Sequence, residues 1–414
     1  MRLAIFFLLG VLGCLCCPAE ARSQHQKNLQ REASSGEIIV KVDSVTGNYA
    51  VGSSRFGWTF AGSLGAALQE LQYAAGKDAA GKYQIVRFKW KNKLAYSGSI
   101  RWYTGEPVVV FDLTLPEGSA GQSPAAFPDF TTYPNLPHRF SYHNRIFPLP
   151  QFFLEETCTP WMLFNDEAAA CILSPASDFI VSLMTHADST RLCSGLNPEV
   201  KQLPAGFTHS TILVMAQGIR NSWDTWGNAL RALYNRKRPA SDSDPVLKYF
   251  GYWTDNGADY YYNYDSTKGY AGTLLAVREH YRQKGIPLGY MQLDSWWYEK
   301  SNYNMDRNEG RGIKNPLFPA GPLNLSGGMM KYEGDRFLFP DGLAAFREKL
   351  GLPLVTHNRW MDPNSPYHKK YRISGFAPID TAYWRHIMKY LKDAGVTCYE
   401  QDWMNYAYTR NPEM

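Results

Sequence analysis

The chain has 414 residues, and its 43 basic and 38 acidic side chains leave a formal net charge of +5. Charges balanced this evenly favour neither a nucleic-acid partner nor an anionic membrane surface. The chain also holds 27 Tyr, 12 Trp and 21 Phe, rings that stack on the apolar faces of sugars but also build ordinary cores. No cysteine or histidine spacing indicates a metal site, so we expect no metal and no other cofactor.

The amino terminus has the pattern of a secretory signal. One positive charge at Arg2 precedes an apolar run from Leu3 to Leu15, which is too short for an ordinary membrane helix. Cleavage after Ala21 fits the small-x-small rule. We therefore expect residues 1–21 to be a signal peptide, and the mature chain to be secreted, extracellular or periplasmic. No later stretch is apolar enough to span a bilayer, so no membrane contact is expected after cleavage.

Four cysteines remain in the predicted mature chain: Cys158, Cys171, Cys193 and Cys398. In an oxidising compartment they allow up to two disulfides, in three possible pairings that the sequence does not rank. The oligomeric state is likewise open.

Residues 22–221 are predicted to form an antiparallel β-sandwich. Short apolar segments separated by turn residues run through this part of the chain, at 37–42, 85–90, 107–112 and 210–214. A helix is expected to interrupt them around 63–75.

Residues 222–245 are predicted to be a connecting helix and a linker. Ser222 is a candidate helix cap, and Trp223, Trp226, Leu230 and Leu233 form one apolar stripe after it. The segment 239–245 is polar and bounded by prolines. Its Asp242 and Asp244 would suit calcium, but the pattern is more typical of an acidic linker.

Residues 246–414 alternate between strand and helix patterns. Three predicted helices end at a glycine, Gly285, Gly351 and Gly395, and an apolar strand follows each. Such alternation implies parallel pairing. No glycine-rich phosphate loop is present, which favours a closed barrel over a nucleotide-binding open sheet. The chain is therefore expected to be multidomain, the sandwich being followed by an incomplete (β/α)8 TIM-type barrel of about four β/α units.

Each predicted barrel strand ends in polar residues beside tryptophan. Because barrel active sites lie at the carboxyl ends of the strands, these residues are the candidates for chemistry. A single aspartate could equally be a helix cap, and a single tryptophan could equally be a core residue. Four strand ends that each combine polar residues with tryptophan favour a sugar site. The candidates are Trp253, Asp255, Asp294, Trp296, His357, Arg359, Trp360, Asp402 and Trp403.

Four motifs resemble those of the retaining α-glycosidase clan that contains α-galactosidases and raffinose synthases. Phe339-Pro340-Asp341-Gly342-Leu343 followed by Gly351-Leu352 is similar to its "FPDGL…GL" segment, and 251–255 to its "G-W-x-T-W-D" strand. Gln292-Leu293-Asp294-Ser295-Trp296 resembles "I-D-D-G-W", and Glu400-Gln401-Asp402 lies where the clan carries "K-x-D". The resemblance covers residues 246–406.

The resemblance implies a glycosidase that hydrolyses α-linked oligosaccharides or glycosides with retention, with Asp402 as the nucleophile. Asp255 and Asp294 would hold sugar hydroxyls, and Trp253 and Trp296 would shape the first subsite. His357, Arg359, Trp360 and Trp403 would also contact substrate, although His357 and Arg359 equally well orient Asp402 or brace a loop.

The sequence also departs from the clan. Ser295 replaces a second aspartate and Glu400 replaces a lysine. We therefore do not expect galactose specificity, and we expect the pKa of Asp402 to be raised.

The segment 299–340 is predicted to be a long lid over the site. The acid/base is expected beyond residue 414, which would make this chain an inactive fragment. A transglycosylase and a non-catalytic sugar-binding protein are the alternatives.

Overall fold

The computed structural model describes residues 30–142, 150–157, 159–186, 190–200, 202–254, 264–265, 267–300, 328–336 and 338–402. The predicted signal peptide, residues 1–21, lies outside them. Within the described residues the protein is mostly β-sheet, with few helices. None of the described helices combines the length and the apolar character needed to cross a membrane.

The first part of the chain consists of short strands. In chain order they are β1 Gln30–Ser35, β2 Ile38–Asp43, β3 Asn48–Ser53, β4 Trp58–Ser63, β5 Glu70–Asp78, β6 Gly81–Lys91, β7 Ala95–Tyr103, β8 Val108–Leu115, β9 Ser119–Ala120, β10 Asp129–Thr132, β11 His138–Tyr142, β12 Pro150–Gln151, β13 Trp161–Phe164, β14 Ala169–Pro175, β15 Ser182–Thr185, β16 Leu192–Leu196, β17 Gln202–Leu203 and β18 Phe207–Gln217. The four apolar segments noted in the sequence fall on β2, β6, β8 and β18.

These strands form two large antiparallel sheets. One has the order β1-β2-β3-β4-β10-β16-β15 and the other β12-β11-β13-β14-β18-β8-β7-β6-β5, while β17 and β9 form a separate pair. Strand β2 shows the alternation of inward and outward side chains, because Ile38, Val40 and Val42 are buried while the residues between them are not. The ring of Phe111 on β8 lies 5.7 Å from that of Phe130 on β10, so the sheets pack face to face.

The expected helix at 63–75 is wrong. Residues from Glu70 onward form β5, which pairs with β6 over its whole length, from Glu70 opposite Lys89 to Asp78 opposite Gly81. The long-range ladder prevails over the local helical pattern, since nine residues gain a strand partner.

Helix α1, Ile219–Leu233, covers the outer face of the nine-stranded sheet. Its apolar stripe, with Trp223 and Trp226, packs against buried residues of β8, β14 and β18. The helix starts after Gly218 rather than at Ser222, which is therefore not its cap. Instead the Ser222 hydroxyl donates back to the Gly218 carbonyl at 2.9 Å.

Three of the cysteines are thiols in this structure: Cys171, Cys193 and Cys398. Cys158 lies outside the described residues. Burial raises the pKa of Cys171 to about 12. Burial, together with the Asp129 carboxylate that accepts from it, raises the pKa of Cys193 to about 12. Two disulfides among the four cysteines are therefore not formed here.

The second part of the chain is a parallel sheet with helices between its strands. Its elements are α2 Pro245–Lys248, β19 Gly251–Tyr252, α3 Gly269–Gln283, β20 Tyr290–Leu293, β21 Tyr298–Lys300, β22 Met329–Gly334, α4 Gly342–Leu350, β23 Leu354–Asn358, a 3-10 turn Pro366–Lys369, β24 Ile373–Ser374, β25 Ala377–Pro378, α5 Thr381–Asp393 and β26 Val396–Gln401. Strands β19, β20, β23 and β26 pair in parallel in that order, and β21–β22 and β24–β25 are two-stranded ribbons.

The predicted helix-ending glycines are confirmed. Gly285, Gly351 and Gly395 follow α3, α4 and α5 with φ of 68°, 68° and 73°, the left-handed conformation that glycine adopts at low cost. Asp380 caps α5 by accepting from the Ala382 amide at 2.8 Å. Asp341 precedes α4 but binds Lys349 at 2.9 Å instead of capping the helix.

Two short elements accompany the parallel sheet. Lys248 belongs to the single turn α2, which Asp244 caps through the Val246 amide at 2.8 Å. The segment 299–340, expected to be a loop, contains β21 and β22, which pair as an antiparallel ribbon. Residues 301–327 between these strands lie outside the described part.

Candidate active site

The polar residues that follow the parallel strands lie along one edge of the sheet. Thr254 comes two residues after β19, Asp294 follows β20, Asn358 ends β23 and Asp402 follows β26. Because all four strands run in the same direction, their carboxyl ends meet at this edge. Hydrogen bonds join several of these residues.

Gln292 joins three strand ends through its side-chain amide. Its Nε2 donates to Glu400 Oε2 at 3.0 Å and lies 3.4 Å from Asp294 Oδ2. Its Oε1 accepts from the backbone amide and the hydroxyl of Thr254, both at 3.0 Å. Since Gln292, Asp294 and Thr254 are all buried, this network fixes the positions of two carboxylates on the sheet edge.

Thr254 is a second junction in the same network. Its hydroxyl accepts from the Asp294 amide at 3.0 Å and from the Trp296 indole at 3.3 Å. The Asp294 carboxylate in turn accepts from the Ser295 amide at 2.5 Å. The loop after β20 is thus tied to the end of β19, and Asp294 is held in one orientation.

Asp402 is the carboxylate that remains accessible. Its side chain is 53% exposed, and its Oδ2 lies 3.1 Å from Nε2 of His357, which is itself buried. The Asp402 backbone amide donates to the Asn358 carbonyl at 2.8 Å, which continues the pairing of β26 with β23 by one residue. The result is a half-exposed carboxylate that contacts a buried imidazole.

His357 is held in place through its backbone. Its backbone carbonyl accepts from the Trp297 indole at 3.1 Å and from the Tyr332 hydroxyl at 3.3 Å. The next residue, Asn358, donates to the Tyr399 hydroxyl at 2.8 Å. Aromatic side chains therefore support the strand end that carries the histidine.

The predicted tryptophans take two different positions. Trp253 is 38% exposed, with an edge-on contact to Tyr290. Trp296 is only 1% exposed and stacks on Tyr270 with 4.8 Å between ring centroids. Trp360 is 2% exposed and packs on Phe376. Trp296 and Trp360 are thus buried in this structure, and their predicted contacts with substrate remain predictions.

Arg359 lies close to this edge, with 5% of its surface exposed. Asp294, His357, Arg359 and Asp402 are thus the predicted site residues that the structure places on one edge. Asp255 and Trp403 lie outside the described residues, so their predicted roles remain predictions. No cluster of three or more metal-binding side chains occurs within the described ranges.

Gln292 and Thr254 were missed as site residues by the sequence reasoning. A strand buried in a parallel sheet is expected to be uniformly apolar, and a glutamine in the middle of β20 breaks that rule. Its separation of two residues from Asp294 places both side chains on the same face of the chain. This combination is the signal that identifies Gln292.

The chain is similar to solved glycoside hydrolases in fold. A Glycoside Hydrolase Family 97 enzyme from Pseudoalteromonas sp. strain K8, solved in complex with acarbose, matches with a TM-score of 0.54 at 10% identity, over 90% of this chain and 58% of that one. A variant of that enzyme gives a TM-score of 0.55 with the same identity and coverage. The α-N-acetylgalactosaminidase NagBb from Bifidobacterium bifidum matches at 0.43 and 10% identity, over 89% of this chain and 69% of that one.

This chain therefore spans 58% of the length of the Family 97 enzymes that it matches. No protein-family model matches the chain. No curated protein matches it either.

We predict that Gln292→Glu destabilises the fold at neutral pH. The new carboxylate would lie beside Asp294 and Glu400, and burial and like charge raise its folded-state pKa above the unfolded value. The penalty is absent below the unfolded pKa, grows as pH rises from the unfolded to the folded pKa, and is fully present above the folded pKa. Urea unfolding should give a loss of about 3–5 kcal/mol at pH 7.5 and a smaller loss at pH 4.5.

The matched control is Gln69→Glu, since Gln69 is exposed. That variant should match the wild type at both pH values. A Gln292→Glu protein as stable as the wild type at pH 7.5 would show that the three side chains do not share a buried site.

Proposed function

We propose that the chain belongs to a glycoside hydrolase that acts on α-linked glycosides by a retaining mechanism, with Asp402 as the nucleophile. The observation that carries the proposal is the half-exposed Asp402 carboxylate, which contacts the buried His357 at the carboxyl ends of the parallel strands. The fold likeness to glycoside hydrolases and the resemblance to the α-glycosidase clan agree with it. An oligosaccharide or glycoside is the expected substrate.

In this mechanism the Asp402 carboxylate attacks the anomeric carbon, and the bond to the leaving oxygen breaks. Water then hydrolyses the glycosyl-enzyme ester, which restores the starting configuration. His357 acts as a positioning residue, because its Nε2 lies 3.1 Å from Oδ2 of Asp402 and holds the carboxylate in place.

The remaining rim residues would bind the sugar. Asp294 is oriented by the Ser295 amide and Gln292, which suits an acceptor for hydroxyl groups. Trp253 has the exposed ring that a sugar face can cover. Among the described residues, His357 and Arg359 would also contact the sugar. Trp296 and Trp360 support the site from the core.

Replacement of Asp402 by Asn should lower turnover of an aryl α-glycoside by at least about 10³-fold in the full-length protein, because the amide is not a nucleophile. An α-configured epoxide inactivator should label the peptide that contains Asp402 in the wild type and leave the variant unlabelled. Mass spectrometry of the digested protein locates the adduct.

Asp393→Asn is the control, since Asp393 is similarly exposed at 59% and pairs only with Lys389 on a helix surface. It should retain full activity and labelling. An adduct on another carboxylate would remove Asp402 from the nucleophile role. Transfer of the sugar to an acceptor rather than to water would identify a transglycosylase, and binding without turnover in either protein a non-catalytic sugar-binding protein.

We also propose that the four parallel strands are part of a closed (β/α)8 barrel. Within the described residues β19 and β26 are the outer strands of the sheet. Apolar side chains are exposed beside β19, with Leu247 at 72% and Phe250 at 62%. Further strands of a barrel would cover them, and the regular alternation of strand and helix supports the same arrangement.

If so, the 414-residue chain on its own should self-associate through this surface. The double variant Leu247→Ser with Phe250→Ser should reduce the associated fraction measured by light scattering. A control pair on the sandwich, Phe152→Ser with Phe153→Ser, removes rings that are 76% and 56% exposed and should change nothing. Equal association of all three proteins would contradict the proposal.

We further propose that the protein is secreted through a signal peptide at residues 1–21. Expression in a host with a secretory pathway should release a chain that begins at Arg22, as determined by amino-terminal sequencing. Substitution of Leu8 and Leu9 by aspartate breaks the apolar run and should keep the protein inside the cell with Met1 intact. Release of the substituted chain would show that the run is not an export signal.

A further inference from the structure

The outer face of the nine-stranded sheet changes from apolar to polar where α1 ends. Val110 on β8 and Ile212 on β18 lie opposite each other in the ladder and belong to the apolar cluster that packs under the helix. Two positions further along the same face, Asp112 lies opposite Ser210. Because alternate residues of a strand share a face, this polar patch continues the surface that α1 covers.

The side chains of the polar patch are held by hydrogen bonds across neighbouring strands. Asp112 accepts from the Ser99 hydroxyl of β7 at 2.8 Å and from the Ser210 hydroxyl of β18 at 2.7 Å. Arg101 of β7 donates through Nη1 to Asp78 at 2.9 Å, whereas its Nη2 lies 3.9 Å from Asp112. The second distance is too long for a hydrogen bond, so this end of the guanidinium keeps donor capacity for a ligand.

The Asp78 carboxylate is also fixed in place. It accepts from the Tyr103 hydroxyl at 2.7 Å and from the Ala80 amide at 2.8 Å, in addition to Arg101. The side chains of Arg101, Asp78 and Asp112 are 20%, 27% and 23% exposed, so solutes reach all three. The charged groups are therefore preorganised and accessible at the same time.

A cavity of about 340 Å³ opens where the polar patch meets the end of α1. Its volume falls within the range of small-molecule sites, about 300–1,000 Å³. Among the described residues, its wall includes Asp78, Arg101, Ser177, Ser210, Tyr234 and Asn235. The ion pair of the sheet and the residues that follow the helix therefore line the same space.

Tyr234, the residue that follows α1, contributes an aromatic ring to the wall of this cavity. It is 48% exposed, and its hydroxyl donates to the Ala176 carbonyl at 2.6 Å, which holds the ring in place. Phe179 lies next to it, 44% exposed, with 6.5 Å between the ring centroids. Exposed aromatic rings beside fixed polar groups offer the two kinds of surface that a sugar ring presents in return.

The charges around the cavity select the class of ligand. A solvated ion pair alone would be an ordinary feature of a sheet surface, but this pair lines a cavity together with an aromatic ring. An anion would be repelled by Asp78 and Asp112, and a cation by Arg101. A neutral molecule with several hydroxyls suits both kinds of group, because a hydroxyl donates and accepts.

We propose that this cavity is a second carbohydrate-binding site, separate from the candidate active site. The sugar ring lays an apolar face on Tyr234 and directs its hydroxyls to Arg101 and Asp78. This inference goes beyond the proposed function, because the cavity lies on the nine-stranded sheet whereas Asp402 follows a strand of the parallel sheet. The second site binds sugar without cleaving it.

The test measures sugar binding to the 414-residue chain by calorimetry. The probes are panose, N-acetylgalactosamine, methyl α-D-glucopyranoside and methyl α-D-galactopyranoside, and at least one of these neutral sugars should bind. Tyr234→Ala should weaken that binding about 5- to 50-fold, because the ring is lost. Arg101→Met should weaken it about 10- to 100-fold, because a charged donor is lost.

Three further variants show where the sugar binds. Tyr249→Ala removes a ring of matched exposure, 49%, from another part of the chain, and should leave the affinity unchanged. Arg220→Met removes an exposed guanidinium at the other end of α1 and should also have no effect. Trp253→Ala removes the exposed ring of the candidate active site and should leave this binding intact.

The outcomes separate this inference from the proposed function. Loss of affinity in Trp253→Ala, with Tyr234→Ala unchanged, would place the sugar at the candidate active site and overturn the inference alone. Absence of binding to all four probes would overturn it as well, while labelling of Asp402 would still test the proposed function. Binding of inorganic phosphate that Arg101→Met abolishes would identify an anion site instead. Tyr234 is half exposed, so its variant decides the question even if Arg101→Met does not fold.

Discussion

The side-chain amide of Gln292 is the interaction on which the candidate site depends. Two carboxylates, Asp294 and Glu400, approach the same buried amide, and without a donor between them their charges would repel at low dielectric. Thr254 holds the other end of the amide and so sets which atom faces the carboxylates. Neutral side chains, Gln292 and Thr254, therefore hold the acidic groups in place at this edge. Asp402 lies at the same edge, where these acidic groups are already fixed by hydrogen bonds.

The parallel part of the fold was the most predictable from the sequence. Glycines at 285, 351 and 395 each close a helix in the left-handed conformation, and this local rule holds whatever the neighbours are. Local rules were insufficient where distant pairing decides the structure. The segment after Ser63 has a helical pattern in isolation, but β6 offers it a complete ladder. Ser222 has the chemistry of a cap, yet packing of α1 starts the helix at Ile219.

The same distinction applies to the site. The aspartates and the histidine could be predicted, because residues that close parallel strands share one edge, and Asp402 and His357 do meet there. The direction of each tryptophan could not, because Trp253 and Trp296 follow strand ends in the same way but only Trp253 is exposed.

The protonated thiols of the two antiparallel sheets bear on how the protein reacts with oxidants. A thiolate is the species that reacts with oxidants and with other disulfides, and a pKa of about 12 leaves almost none of it at Cys171 or Cys193. Once the two sheets have packed together, both sulfurs are therefore unreactive in thiol–disulfide exchange. The order of events then matters. A chain that folds before it meets an oxidant keeps Cys171 and Cys193 unreactive, whereas one that is oxidised first is trapped with a cross-link that the folded sheets do not contain.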